Sequence, residues 1–487
     1  MTDADPKAFL HVPRKGPDKR SIKERVTDDE PVYLPVIDER AQEQAHRCMD
    51  CGVPFCQDGC PLGNRIPDWN RLVSEGDWKE AYEQLDATNN FPEFTGRICP
   101  APCESACVAA LVSEPVTIEQ IEQAIVERAF REGWVQPRPP DERTGQRVAV
   151  IGSGPAGLAC AQQLNRAGHR VVVFERDDRP GGLLRYGVPD FKLQKSVINR
   201  RLDLMREEGI AFECSVEAGV DVPVGELREA FDALVLCVGA TDERDLAVPG
   251  RNLDGIHFAW PYLHRHSKRV AGDDLAYLPD IDAAGKDVVV IGGGDTASDC
   301  IGTAHRQGAA SITNVTHGPQ PPIERPAHQP WPADPDTLRV SISHEEGVDR
   351  VWTVDVVGFE ENGDGRVEAV RLVDVAWETD ADGRRTSKQP MPDTERTMPA
   401  DLVLLAIGYE GPDADPLLGP LGVTCDDRGR VETDDWQTAV DGIFAAGDAT
   451  RGASLVVWAI ADGRDCAQAV NAYLQEKRET RSAQVAA

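Results

Sequence analysis

An apolar strand that runs straight into a glycine turn constrains this chain more than any other feature, because few folds accommodate one. Val148-Ala-Val-Ile151 leads into Gly152-Ser-Gly-Pro-Ala-Gly157, a helix-like stretch from Leu158 to Ala167 follows, and Val171-Val-Val-Phe174 supplies a second strand. That order is a βαβ unit, whose glycines permit a tight turn, close approach of backbone to a pyrophosphate and close packing of helix on strand. The start of the helix offers unpaired N–H groups to the anion. Glu175 closes the second strand, where a carboxylate accepts hydrogen bonds from a ribose 2′-hydroxyl. Gly152, Gly154, Pro155, Ala156, Gly157 and Glu175 are therefore candidate dinucleotide-binding residues.

A second unit opens with Asp287-Val-Val-Val-Ile291 and the turn Gly292-Gly-Gly294-Asp-Thr-Ala297, with alanine at the third small position. Its next strand, Ser311-Ile-Thr-Asn-Val-Thr-His317, ends without an acid. Nothing there repels a 2′-phosphate, and Arg306 and Arg325 are near enough in sequence to supply a cation, so NADPH is expected over NADH. The candidates are Gly292, Gly294, Asp295, Thr296, Ala297 and Arg306. Further on, Gly442-Ile-Phe-Ala-Ala-Gly447-Asp448 pairs a short strand with Gly-Asp, an aspartate placed to accept hydrogen bonds from a flavin ribityl hydroxyl. The helix expected from Ser454 to Tyr473 would aim its positive end at the flavin's pyrimidine ring. Between Val351 and Thr397, strand-like pieces alternate with Gly363-Asp-Gly365 and Asp382-Gly383 turns, which reads as hairpins. The polar tail beyond Glu476 is expected to fray.

Of 13 cysteines, seven lie between Cys48 and Cys107, while Cys160, Cys214, Cys237, Cys300, Cys425 and Cys466 are scattered and read as small core residues. Cys48, Cys51, Cys56 and Cys60 are spaced C-x2-C-x4-C-x3-C with Pro61 after the fourth. A bacterial ferredoxin run ends the same way but has a middle gap shorter by two. Cys99, Cys103 and Cys107 follow as C-x3-C-x3-C. Two 4Fe-4S clusters ask for four ligands each, one more than these thiols provide, so one cluster is missing or a non-cysteine group completes the set. A structural zinc ion and disulfides are the rival readings.

Composition narrows the partners. Lys and Arg total 52 against 83 Asp and Glu, a net charge of −31, so nucleic acid or an anionic membrane surface would be repelled. No stretch approaches the roughly 18 apolar residues of a membrane helix. Met1 to Lys7 shows no apolar core of a signal peptide, which points to the cytoplasm. The linker-like stretch Gln136 to Gly145 marks the edge of a largely helical N-terminal part.

With these residues assembled, the chain resembles the small (beta) subunits of bacterial NADPH-dependent glutamate synthases, and shares its arrangement with the N-terminal half of dihydropyrimidine dehydrogenase. The likeness runs from about Ala45 to Tyr473. It is carried by Cys48-Met-Asp-Cys-Gly-Val-Pro-Phe-Cys56, Thr88-Asn-Asn-Phe-Pro-Glu-Phe-Thr-Gly-Arg97, Gly181-Gly-Leu-Leu-Arg-Tyr-Gly-Val-Pro189, Gly239-Ala-Thr241 with Arg244-Asp-Leu246, and Ser454-Leu-Val-Val-Trp-Ala-Ile460. The resemblance implies an α/β fold: a helical iron-sulfur domain (1–143), then two Rossmann-like domains, an FAD domain (144–285 and 400–487) split by an NADPH domain (286–399). Carried over by residue, Cys48, Cys51, Cys56 and Cys107 would hold one cluster, and Cys60, Cys99 and Cys103 the other, with Glu122 as the eighth ligand. Gly182, Leu183, Gly447 and Asp448 join the FAD set. Ala297, Thr316-His317, Ala449-Thr450 and Ala453 depart from the family pattern. The implied activity is hydride transfer from NADPH to FAD and single-electron delivery through the clusters to a large (alpha) subunit, which makes glutamate from 2-oxoglutarate and glutamine. No side chain is expected to act as a catalytic acid or base. A flavin and iron-sulfur oxidoreductase serving another acceptor, such as ferredoxin, or a non-catalytic relay scaffold, are the alternatives.

Overall fold

The computed structural model describes residues 7–380, 385–413 and 416–486. Met1 to Pro6 and the expected Asp382-Gly383 turn lie outside the described residues.

The N-terminal part is helical, as its composition implies, with main helices Asp38–Ala45, Ile66–Glu75, Trp78–Thr88, Pro92–Ile98 and Ile118–Arg131. In the last of these, Ile118, Ile121, Ala124, Ile125 and Ala129 fall on one stripe at helical spacing and are buried. Ile66–Glu75 starts with Pro67 in its first turn and stops at Gly76, whose φ of 91° a side chain would resist. Phe91 and Phe94 leave this part to enter the same core as Val148 and Val150. Each such burial contributes about 1.5–3 kcal/mol, so the helical part is fused to the sheet behind it. The fully buried Glu93 and Arg201 bridge the same junction at 2.6 Å.

The first parallel sheet has the order β14-β4-β1-β2-β3, with β1 Arg147–Ile151, β2 Arg170–Glu175, β3 Ala211–Cys214, β4 Ala233–Leu236 and β14 Ile443–Ala445. Its central strands β1 and β4 are near-continuous apolar runs, as burial on both faces demands. The second repeats the plan as β5-β13-β6-β7-β8, with β5 Ile256–Phe258, β6 Asp287–Ile291, β7 Ser311–Val315, β8 Asp349–Val351 and β13 Leu402–Leu405. An antiparallel sheet of β9 Val354–Glu361, β10 Val367–Thr379, β11 Arg385–Pro390 and β12 Arg396–Pro399 is built around β10. Val370 and Leu372 of β10 seal one face of the second parallel sheet. The hairpin reading of this stretch therefore holds for its described residues.

The pairings redraw two boundaries. β5 and β13 both pair with the second sheet, in which β13 lies beside β6, so the second domain begins before 256 and ends after 405 instead of at 286 and 399. The two connectors run side by side, Thr241 N–H donating to Gly411 O at 2.8 Å and Arg244 N–H to Gly408 O at 3.0 Å. Strand pairing between segments this far apart in sequence leaves no local signal, so the residues near 286 and 399 do not announce it. The C-terminal helix is also longer than its apolar pattern indicates, running Val456–Ala486 instead of stopping near Tyr473 and fraying.

Candidate functional site

Sterics fix the first glycine turn. A Cβ on Gly152, at φ 99°, would stand 2.3 Å from Cys237 O, and one on Gly157 would stand 2.0 Å from Gly152 O. Neither position admits a side chain. Gly154 is different: a Cβ there meets nothing within 4 Å, because it faces a cavity of about 1310 Å³. Pro155 sits in the first turn of the helix Pro155–Arg166, whose unpaired N–H groups face the same space. Gly182, at φ 50°, closes on Gly154, where a Cβ would come to 2.9 Å of its Cα.

Glu175 is nearly buried at the end of β2 and lines the cavity. It accepts from Ser153 N–H at 3.1 Å, from Ser153 Oγ and from Asp177 N–H at 2.9 Å. Burial pushes its carboxyl up, and these donors offset part of the rise. Ser153 also accepts from Gly181 N–H at 2.8 Å, so one hydroxyl ties three loops together. Leu183 and Asp448 line the cavity too, with Ala156 between them and Gly157 and Gly447 packed behind. Asp448 accepts from Ser454 Oγ at 2.9 Å, and burial pushes its carboxyl up to about 6. The C-terminal helix begins at Val456, on the cavity wall, as its expected role required.

The second turn obeys the same sterics: a Cβ on Gly292 would stand 2.0 Å from Ala406 O, while Gly294 is open. Ala297 is packed in the core, where its methyl fits. Asp295 and Thr296 line the same cavity that holds Gly154 and Glu175, together with Thr241, Trp260 and Tyr409. The open ends of both dinucleotide turns thus converge on one space. Sequence reading missed the ion pair between Lys192 and Asp299 at 2.5 Å in its wall. Burial pushes Asp299 up to about 6. The available signal was spacing, since Asp299 follows Asp295 by one helical turn and shares its face.

Arg306 does not belong to this site. Its guanidinium is 1 % exposed, bonded to Glu346 at 2.9 and 3.1 Å and to Gly302 O at 2.8 Å, and lies 3.7 Å from the centre of the Phe191 ring. Twelve residues beyond Gly294, it sits about 18 Å down the helix axis from the turn. Arg325 is likewise taken, by the carbonyls of Gln329, Ala333 and Ser105.

The thiols gather in two sets. Cys48, Cys51, Cys56 and Cys107 line one small pocket, walled by Met49, Phe55, Ile66, Val116 and Ile118. Cys60, Cys99 and Cys103 act electrostatically on one another and on Glu122. Burial pushes Cys48 up to about 12 and Cys60 to about 11. Such thiols are neutral on their own; a bound metal's charge is what would deprotonate them. Among the described residues, no three of these groups draw close enough to share a single ion, whereas zinc wants sulfurs about 2.3 Å from one centre. Glu122 is buried, not an exposed helix glutamate, and accepts from Asn89 Nδ2 at 2.9 Å and from Thr95 Oγ1. Burial pushes it up to about 7. Cys99 also borders the large cavity, which Cys48, Cys51, Cys56 and Cys107 do not line.

Two dinucleotide sheets sharing a cavity, with a thiol-rich helical part on its wall, define a pyridine-nucleotide flavoprotein oxidoreductase with an attached iron-sulfur domain. Residues 146–463 match the pyridine nucleotide-disulphide oxidoreductase family, and residues 25–134 match dihydropyrimidine dehydrogenase domain II, 4Fe-4S cluster. The glutamate synthase (NADPH) small chain of Mycobacterium tuberculosis is 52 % identical over 97 % of this chain and 96 % of its own length. The Schizosaccharomyces pombe protein named glutamate synthase (NADH) is 47 % identical over 97 % of this chain, but the match takes up 23 % of its own length. The solved structure of M. tuberculosis FprA in complex with NADPH superposes with a TM-score of 0.56 at 20 % identity, covering 72 % of this chain and 89 % of that one, a likeness of fold. The chain belongs to the glutamate synthase small-chain family.

Proposed function

We propose that this chain is the electron-input subunit of a glutamate synthase, oxidising NADPH and passing electrons to a large subunit that makes glutamate from 2-oxoglutarate and glutamine. The observation that carries the reading is the single cavity onto which Gly154, Glu175, Asp295, Thr296 and Cys99 all open. A flavin in this space would take paired electrons from NADPH and release them singly to iron-sulfur clusters.

The chain's own residues bind and orient. Gly152, Gly154, Pro155, Ala156 and Gly157 let the backbone and helix start approach an FAD pyrophosphate, and Glu175 accepts from its ribose. Gly182 and Leu183 close over it, Gly447 and Asp448 hold the ribityl side, and the start of the C-terminal helix favours negative charge on the ring. Gly292, Gly294, Asp295, Thr296 and Ala297 do the corresponding work for NADPH. The ring of Trp260 and the Lys192–Asp299 pair line the same cavity and would border the bound cofactors there. Cys60, Cys99 and Cys103 with Glu122 hold the cluster next to the flavin, and Cys48, Cys51, Cys56 and Cys107 hold the outer one, both in a cytoplasmic, reducing setting. Residues 1–143 then form the bis-cluster domain, with the FAD domain on either side of an NADPH domain at about 245–407.

The test is reconstitution. The holoprotein with its large subunit should form glutamate from 2-oxoglutarate and glutamine only when NADPH is supplied. Reduction of an artificial acceptor with no glutamate formed, in a verified complex, would reassign the chain to another electron acceptor.

A further inference from the structure

We propose that Arg385 and Lys388, on the β10–β11 hairpin, recognise the 2′-phosphate that separates NADPH from NADH. The proposal rests on reading the second glycine turn as the pyridine-nucleotide site.

In a βαβ nucleotide unit the end of the second strand faces the adenosine ribose. Here that strand is β7, and its exit is Thr316-His317-Gly318. The exit touches the turn itself, since a Cβ on Gly293 would stand 3.1 Å from Thr316 Cγ2. None of these three residues carries a carboxylate, and Arg306 and Arg325 are bound elsewhere.

The hairpin fills that gap from beyond β7. Trp377 Nε1 donates to His317 O at 2.8 Å, which fastens β10 to the exit. Arg385 lies over Gly318, with Nη1 2.8 Å from where a Cβ would stand, which puts the guanidinium against the backbone of the exit. Its guanidinium carbon is 5.3 Å from the centre of the Trp377 ring, and Lys388 Nζ is 5.9 Å from the same ring. His317 is pushed down by burial first and by Lys388 next, with Asp355 opposing the shift and Arg385 adding to it, so both cations and the Asp355 carboxylate act at the exit. Arg385 is 41 % exposed, and its ion pair with Asp336 is a loose 3.9 Å. Lys388 pairs with Asp355 at 2.5 Å, leaving two of its three N–H donors for a ligand. An arginine fork beside an ammonium suits a dianionic phosphate.

The test compares two coenzymes and two fragments. In Arg385→Ala holoprotein, KM for NADPH should rise about tenfold or more, the size of one lost charge-assisted hydrogen bond, and further in the double variant with Lys388→Ala. KM for NADH should change less than about twofold. Arg385→Lys should recover part of the loss. By calorimetry, the parent should bind adenosine 2′,5′-bisphosphate at least about tenfold more tightly than adenosine 5′-monophosphate, and the double variant should lose that preference. A double variant that keeps the bisphosphate preference overturns the proposal. So does an equal loss with both coenzymes. A parent that binds neither fragment nor oxidises either coenzyme overturns the underlying reading as well.

Discussion

The second and third glycines of the first turn should fail in opposite ways when each is given a methyl group. At Gly154 the backbone has φ −65°, ordinary for alanine, and the added Cβ meets no protein atom within 4 Å. Gly154→Ala should therefore leave the flavin-free protein as stable as the parent, or more stable by about 0.4–1 kcal/mol through a stiffer unfolded chain. The methyl would stand where the pyrophosphate must approach, so FAD affinity should fall at least about tenfold, or about 1.4 kcal/mol. At Gly157 the methyl would be 2.0 Å from Gly152 O and 3.0 Å from its carbonyl carbon. Relieving that contact means moving the helix off β1 by more than an ångström, at a cost of about 1–3 kcal/mol. With about 2–4 °C lost per kcal/mol, the melting temperature should drop by about 2–12 °C. Thermal melts of stripped protein and fluorescence titration with FAD separate the two effects. The reasoning is refuted if Gly154→Ala binds FAD as tightly as the parent, or if Gly157→Ala melts unchanged.

Replacing Cys51 with serine should remove iron while leaving FAD bound; unchanged iron content by assay would undo the assignment of that thiol. Glu346 stands fully buried between Arg25 and Arg306, so Glu346→Ala should cost about 3–5 kcal/mol by urea denaturation, because two buried guanidiniums lose their carboxylate. Asp448 has a folded pKa of about 6 against an ordinary 3.8, so folding favours its protonated form. Stability from this group is full below about pH 4 and is lost as pH rises through about 6. In flavin-free protein, Asp448→Asn should flatten that part of the stability curve; an unaltered slope would show that the shift is absent.

The glycine turns were legible because a Cβ on Gly152, Gly157 or Gly292 would stand 2.0–2.3 Å from a carbonyl oxygen, a position that admits no side chain, and sequence spells that out directly. The grouping of the cysteines came from the resemblance and not from their spacing, and the structure lines one pocket with Cys48, Cys51, Cys56 and Cys107. What sequence obscured was depth and distance. Arg306 is close to the turn in number yet lies at the far end of a helix, and its partner Glu346 comes from a separate short helix. Arg385 is remote in number yet is carried back to β7 by a hairpin. Pairing of β13 with both β5 and β6 depends on the whole sheet closing, and no window of residues contains that information.

Anaerobic titration of iron-loaded, FAD-loaded protein with NADPH, followed by optical and electron paramagnetic resonance spectroscopy, tests the central claim most directly. The flavin band should bleach and a reduced iron-sulfur signal should appear with it, and that signal should vanish in Cys99→Ser while the bleaching persists. A flavin that stays oxidised, or one that bleaches while fully loaded clusters remain unreduced, would contradict an electron path from the shared cavity into the two thiol sets.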